Sequence, residues 1–164
     1  MQAVQLSAVF QDISAEFAGQ MEQKGITYTQ TGEGKIFADP KKIYTCCENL
    51  FSNAVRYNKQ GGHVEVVIED FPQSVRFSVR DTGIGIEQKH IPRLCERFYR
   101  VDKSRSKNTG GTGLGLSIVR ALAERCGVDV RAFRIIYELL DDIQAALKGM
   151  LAPKYREVMT GKCD

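Results

Sequence analysis

The stretch "TGGTGLGLSIV", residues 109–119, places four glycines among its first seven residues and then runs directly into an apolar, helix-forming segment. Glycine permits positive φ and a close approach of backbone to a ligand, and the start of a helix offers unpaired N–H groups and partial positive charge to an anion. A phosphate cradle and a plain flexible loop both fit this composition, so the surrounding chain has to decide. Working outward, a helix is expected from Gly115 to Arg125, with Gly127 just beyond it. Upstream, "GGHVEVVIED" (61–70) and "QSVRFSVRD" (73–81) alternate apolar and polar residues on either side of Phe71 and Pro72, the pattern of neighbouring antiparallel strands. Asp81 falls where the second strand ends. Asp39 followed by Pro40 is an N-cap with proline at the first helical position, so a helix should run from Pro40 to about Tyr57 and bury Ile43, Cys47, Leu50, Phe51 and Ala54. "ITYTQTGEGKIFAD" (26–39) reads as two short strands around a turn at Gly32 and Gly34. Val9, Phe10, Ile13, Phe17 and Met21 recur at helical spacing, which predicts a first helix over Leu6–Lys24 ended by Gly25. Helix, strands, helix, strands, loop, helix is the order of an α+β fold, a two-layer α/β sandwich.

Composition narrows the function classes. The chain has 164 residues, 43% hydrophobic and 26% charged, which suits one well-buried domain with an appendage. A net charge of +3 does not argue for nucleic acid, because basic residues interleave with acidic ones everywhere except in "RFYRVDKSRSK" (97–107). Cys46, Cys47, Cys95, Cys126 and Cys163 form no C-x-x-C pair and have no zinc-like histidine spacing, which fits a reduced, cytoplasmic setting. No stretch approaches the length of a membrane span, and no signal pattern opens the chain.

Chemistry-bearing residues cluster in four places. Asn49, Asn53 and Arg56 fall on one face of the second helix, where amide oxygens can ligand a hard cation or simply be solvated. In "DTGIG" (81–85) a carboxylate at a strand end precedes two glycines, which either holds it for an exocyclic amine or is an ordinary loop ending. Taken together, "ENLFSNAVRYN" (48–58), "DTGIGI" (81–86), "RLCERFYRVDKSRS" (93–106) and "GGTGLGLSIV" (110–119) resemble, in order and spacing, the N, G1, F and G2 boxes of the sensor histidine kinase ATP-binding domain of the GHKL superfamily. The resemblance covers roughly residues 3–126 and is strongest to phosphate-sensing and cell-wall-sensing kinases.

That resemblance implies a set of roles. Asn53 would ligand Mg²⁺ on the ATP phosphates with Asn49 in support, and Arg56 would lie near the phosphates. Tyr57 would lie against the adenine, Asp81 would accept from its amino group, and Gly83 and Gly85 would make room beside the base. Gly111, Thr112, Gly113 and Gly115 would shape the loop under the triphosphate, with Leu114 and Leu116 anchoring the helix that follows. Arg97, Arg100, Lys103 and Arg105 would belong to a lid over the nucleotide. Cys95 stands where the family has the first phenylalanine of its F box, while Phe98 keeps the second. The implied activity is transfer of the γ-phosphoryl group to a histidine on a separate domain, with a response regulator downstream. His63 and His90 lack the context of an acceptor and read as surface histidines. A P-loop and a dinucleotide fold are excluded: "GEGK" at 32–35 lacks the first motif's spacing, and the run at Gly111 does not follow a strand.

The resemblance breaks after residue 126. The family continues with a turn and a terminal hairpin, whereas residues 127–164 offer at most one short strand over Val128–Phe133. A long helix follows, striped by Ile136, Leu139, Leu140, Ile143, Leu147, Met150 and Leu151. This segment resembles a connector region of bacterial translation initiation factor two, without that factor's GTP- or tRNA-binding parts. The expectation is therefore a GHKL ATP-binding domain over 1–126 lacking its terminal hairpin, plus a non-family helical tail. Since an apolar stripe and an open sheet edge both call for a partner, a homodimer through 136–151 is expected. The alternative is a non-catalytic fusion whose tail mediates association and whose ATP site is impaired.

Overall fold

A computed structural model describes residues 1–72, 74–101, 113–125, 128–130 and 157–162. Strand β1 (Gln2–Gln5) leads into helices α1 (Leu6–Glu16) and α2 (Ala18–Gln23), followed by β2 (Thr27–Thr31), β3 (Lys35–Ala38) and α3 (Pro40–Arg56). Next come β4 (His63–Phe71), β5 (Ser74–Asp81), a 3-10 helix (Gln88–Arg93), α4 (Gly115–Arg125), β6 (Val128–Val130) and β7 (Glu157–Lys162). The strands form a five-stranded sheet in the order β2-β4-β5-β7-β6 and a separate pair, β1-β3.

The long middle helix forms where the sequence places it. Asp39 Oδ1 accepts from the Lys41 N–H at 3.0 Å, and Pro40 occupies the first turn, where a missing N–H costs nothing. The expected stripe of Ile43, Cys47, Leu50, Phe51 and Ala54 is buried, joined by Cys46 and Val55. Its far end is closed from outside: Lys24 Nζ donates to the carbonyls of Val55 and Arg56 at 3.0 and 2.7 Å, satisfying two of the acceptors that a helix terminus leaves open. The core lies between this layer and one sheet face, where Val64, Val66 and Ile68 of β4 alternate inward beside Val75, Phe77 and Val79 of β5. Phe10 is fully buried edge-on to Phe77, with ring centroids 5.3 Å apart.

Three expectations need correction. The first helix is broken at Phe17, whose ring turns in against Phe51 at 5.8 Å. The strands on either side of Gly32 and Gly34 exist but do not pair with each other: β2 runs parallel to β4, and β3 pairs antiparallel with β1, a strand ahead of the residues that carry the helical periodicity. The cause is local, because Gly32 (φ +80°) carries the chain so close over the Ile68 carbonyl that no side chain fits there. Lastly, the sheet does not lack its terminal strand pair. β6 and β7 pair antiparallel, and β7 covers the edge of β5 in the register Ser74↔Lys162 to Ser78↔Glu157. β7 was not visible as a strand because "EVMTGK" contains a glycine and little alternation. Both strands lie beyond residue 126; the helix expected over 136–151 lies outside the described residues.

Candidate functional site

The four motif stretches meet pairwise. At the C-terminal end of α3, Tyr57 sits under the turn that follows β5: Ile84 N–H donates to the Tyr57 carbonyl at 3.2 Å, and a Cβ at Gly83 would collide with that same carbonyl. Glycine is thus required at 83 by close approach, although its φ is ordinary. Asp81, half-buried, accepts from the Gly83 N–H at 2.9 Å, an Asx turn that fixes its carboxylate at the mouth of the sheet. Gly85 follows with φ +69°. The first and second motifs therefore share one wall.

Two turns back on α3, Asn49 donates Nδ2–H to the Thr45 carbonyl at 2.7 Å and turns its Oδ1 toward the start of α4, where a Cβ on Gly115 would lie 2.7 Å away. Asn53 is half-buried and its amide makes no side-chain hydrogen bond among the described residues. Arg56, Arg97 and Arg100 likewise have no ion-pair partner among them. The glycine-rich motif meets the third motif through Phe98, whose N–H donates to the Gly113 carbonyl at 3.1 Å. Gly113 has φ +73°, and a Cβ there would lie 3.0 Å from the Phe98 carbonyl carbon. α4 then begins with Ile118 N–H and Ser117 Oγ–H both donating to the Leu114 carbonyl. Leu116 packs on the core, whereas Leu114 is half-buried.

The segment from His90 to Tyr99 is held by its own contacts. His90 Nδ1 bonds the Tyr99 hydroxyl at 2.5 Å, and Arg93 lies 4.3 Å over the Tyr99 ring while pairing with Glu96 at 3.0 Å. Leu94 is buried, whereas Phe98, at φ +62°, is 69% exposed. Lys103, Arg105, Gly111 and Thr112 lie outside the described residues.

The ring nitrogens of His63 are taken by the hydroxyls of Thr27 and Thr29 at 2.7 and 2.9 Å, so this histidine is a cross-strand link between β2 and β4. Burial pushes the Cys47 thiol well above its ordinary pKa, keeping it a protonated core residue. No cluster of three His, Cys, Asp or Glu side chains exists among the described residues. The Asn53 amide oxygen is of the kind that suits a hard ion keeping phosphate or water ligands.

Sequence reasoning missed Lys24, which closes α3 just ahead of Tyr57, and the buried Asn58 beside Thr82. The signal for the last two was on view, as polar residues inside the "RYN" and "DTG" motifs.

Comparison with known proteins agrees with this geometry. The family described as histidine kinase-, DNA gyrase B- and HSP90-like ATPase matches residues 38–149, more than half of the chain. The phosphate regulon sensor protein PhoR of Pseudomonas aeruginosa is 51% identical over 79 residues, covering 48% of this chain and 18% of that protein. The sensor histidine kinase WalK of Bacillus subtilis is 41% identical over 96 residues, covering 57% and 16%. The chain thus spans about a fifth of the length of the relatives it matches. Among solved structures, the catalytic domain of histidine kinase ThkA superposes with a TM-score of 0.69 over 98% of this chain and 93% of that one, at 20% identity. The mycobacterial sensor histidine kinase MprB gives 0.66 over 99% of both chains, also at 20%. Similarity at that level of identity carries the fold alone. Nothing in these comparisons supports the likeness of the tail to initiation factor two. With one wall built from Tyr57, Asp81 and Gly83 and another from Asn49 and Gly115, the chain belongs to the histidine kinase-, DNA gyrase B- and HSP90-like ATPase family, as an ATP-binding domain of the sensor histidine kinase type.

Proposed function

We propose that this domain is the Mg-ATP-binding catalytic module of a two-component sensor kinase and that it serves a phospho-acceptor histidine on a separate domain, with a response regulator downstream. Bound ATP supplies the phosphoryl group and Mg²⁺ offsets the phosphate charge. The chain's own residues bind and orient. Asp81, held by its Asx turn, accepts from the adenine amino group; Tyr57 lies beside the base, and Gly83 and Gly85 leave it room. Asn53 offers its amide oxygen to the cation, and Asn49 braces the start of α4. The N-terminus of α4, with Gly113 and Gly115, presents N–H groups to phosphate. Arg56, Arg97 and Arg100 add positive charge around the phosphates, and Lys103, Gly111 and Thr112 join them by the sequence resemblance.

The observation that carries this is the pairwise meeting of the motifs, above all the Tyr57 carbonyl packed under Gly83. Both described histidines are already engaged in structural hydrogen bonds, which favours an acceptor outside this chain. A cytoplasmic location follows from the ATP requirement; no described helix is long and apolar enough to cross a membrane. Calorimetric titration with ATP, ADP and Mg²⁺ tests the proposal. Asp81→Asn should weaken ATP and ADP alike, while Asn53→Ala should mainly abolish the benefit of added Mg²⁺. A folded wild-type protein that binds no nucleotide would refute it.

A further inference from the structure

Where β5 leaves the sheet, the last ladder pair is Val64↔Asp81. Beyond it, the strand that carries the base-recognising carboxylate is held by one backbone bond and a group of side chains. Thr82 N–H donates to the His63 carbonyl at 3.1 Å, and His63 N–H donates to Thr82 Oγ1 at 2.7 Å. The Thr82 hydroxyl in turn donates to Asn58 Oδ1 at 3.0 Å. Asn58, only 8% exposed, also donates Nδ2–H to the His63 carbonyl at 3.0 Å and accepts from the Lys59 N–H at 3.0 Å. Gly62 is pressed against both side chains, with no room for a Cβ between Asn58 and Thr82. One buried amide thus fastens the end of α3, which carries Asn53 and Tyr57, to the end of β5, which carries Asp81.

We infer that Asn58 and Thr82 are positioning residues for base selection: their clasp fixes Asp81 relative to α3, so that the site distinguishes a 6-amino purine from a 6-oxo purine. This rests on the nucleotide reading above. A carboxylate selects a 6-amino group only if it is held at hydrogen-bonding distance and cannot swing away to let a carbonyl in, because a site with fixed polar groups rejects a ligand that leaves them unpaired. Asp81 fixes its own rotamer through Gly83, but the backbone beneath both residues is fixed by Thr82.

The test compares ATP with inosine triphosphate, which carries a carbonyl in place of the amine. By calorimetry, wild type should prefer ATP. In Thr82→Val, which keeps shape and loses the hydroxyl, that preference should fall about tenfold, the loss expected for one hydrogen-bonded group, through weaker ATP binding and with little change for inosine triphosphate. Thr82→Ser should restore it. Equal weakening of both nucleotides, or no rescue by serine, would show a merely structural role and overturn the inference. Amide hydrogen exchange on the nucleotide-free wild type gives an arm that needs no variant to fold: the His63 and Thr82 amides should be protected as strongly as the β4–β5 ladder, and rapid exchange at both overturns the clasp. Wild type that binds neither nucleotide overturns the underlying reading, and the inference with it; wild type that binds ATP while Thr82→Val behaves like it overturns the inference alone.

Discussion

Replacing Gly83 by alanine tests the contact on which the whole site depends. A Cβ there would lie 2.7 Å from Asp81 Oδ1 and 2.9 Å from the Tyr57 carbonyl carbon, and closer still to the Tyr57 oxygen. Ordinary contact begins at about 3.4 Å, so the turn after β5 and the end of α3 must separate by something like an ångström. The nearest obstruction is the Tyr57 backbone, joined by the Asp81 carboxylate, and the α3 end is pinned by Lys24, so little can relax. Overpacking of this kind costs about 1–3 kcal/mol, and stretching the Ile84 N–H bond to Tyr57 beyond range adds about 1 kcal/mol, for a total of roughly 2–4 kcal/mol. For a domain of this size that corresponds to a fall in Tm of roughly 5–15 °C, readable by calorimetry or by urea unfolding at constant m-value. Gly115→Ala is the internal control. Among the described residues the atoms nearest a Cβ there belong to the Asn49 side chain rather than to backbone, and alanine improves helix propensity, so the net change should stay below about 1 kcal/mol. A loss below about 1 kcal/mol for Gly83→Ala, or equal losses for the two variants, would refute the reasoning that close backbone approach fixes this wall.

Two other predictions concern what lies outside the binding wall. Incubation of the chain with radiolabelled ATP should leave no acid-labile, base-stable label, since neither histidine is free of structural bonds; such label on His63 or His90 would contradict the placement of the acceptor on another domain. Self-association through 136–151 now rests on the apolar stripe alone, because β7 covers the β5 edge that was the other reason to expect it. Light scattering should give a dimer that Leu140→Glu with Leu147→Glu dissociates, and a monomeric full chain would count against the stripe as an interface.

What the sequence made legible followed from local rules. Asp39-Pro40 started α3 at the right residue, the alternation around Phe71-Pro72 set the β4–β5 pair, and Gly115–Arg125 appeared with the bounds expected. What stayed hidden was long-range. That β2 would lie parallel to β4 is decided across α3, and that β7 would slot between β5 and β6 is decided across about half of the chain, where alternation within six residues says nothing of a partner. At the site, the motif residues announced themselves, but Asn58 and Thr82 act through a carbonyl and an amide of His63, and backbone partners leave no trace in side-chain spacing.

The place of β7 has a consequence for the order of assembly. Although β7 is last of the five strands along the chain, it is interior to the sheet, and Ser74 waits for Lys162 to complete its register. During vectorial synthesis β2, β4 and β5 can pair as soon as they emerge, but the flank of β5 stays open until residues 157–162 arrive, and β6 cannot join before them. Loop closure over such a span is slow compared with hairpin formation. The nascent chain therefore passes through a three-stranded species with an adhesive flank, and the speed of this last step sets how long that species is open to aggregation.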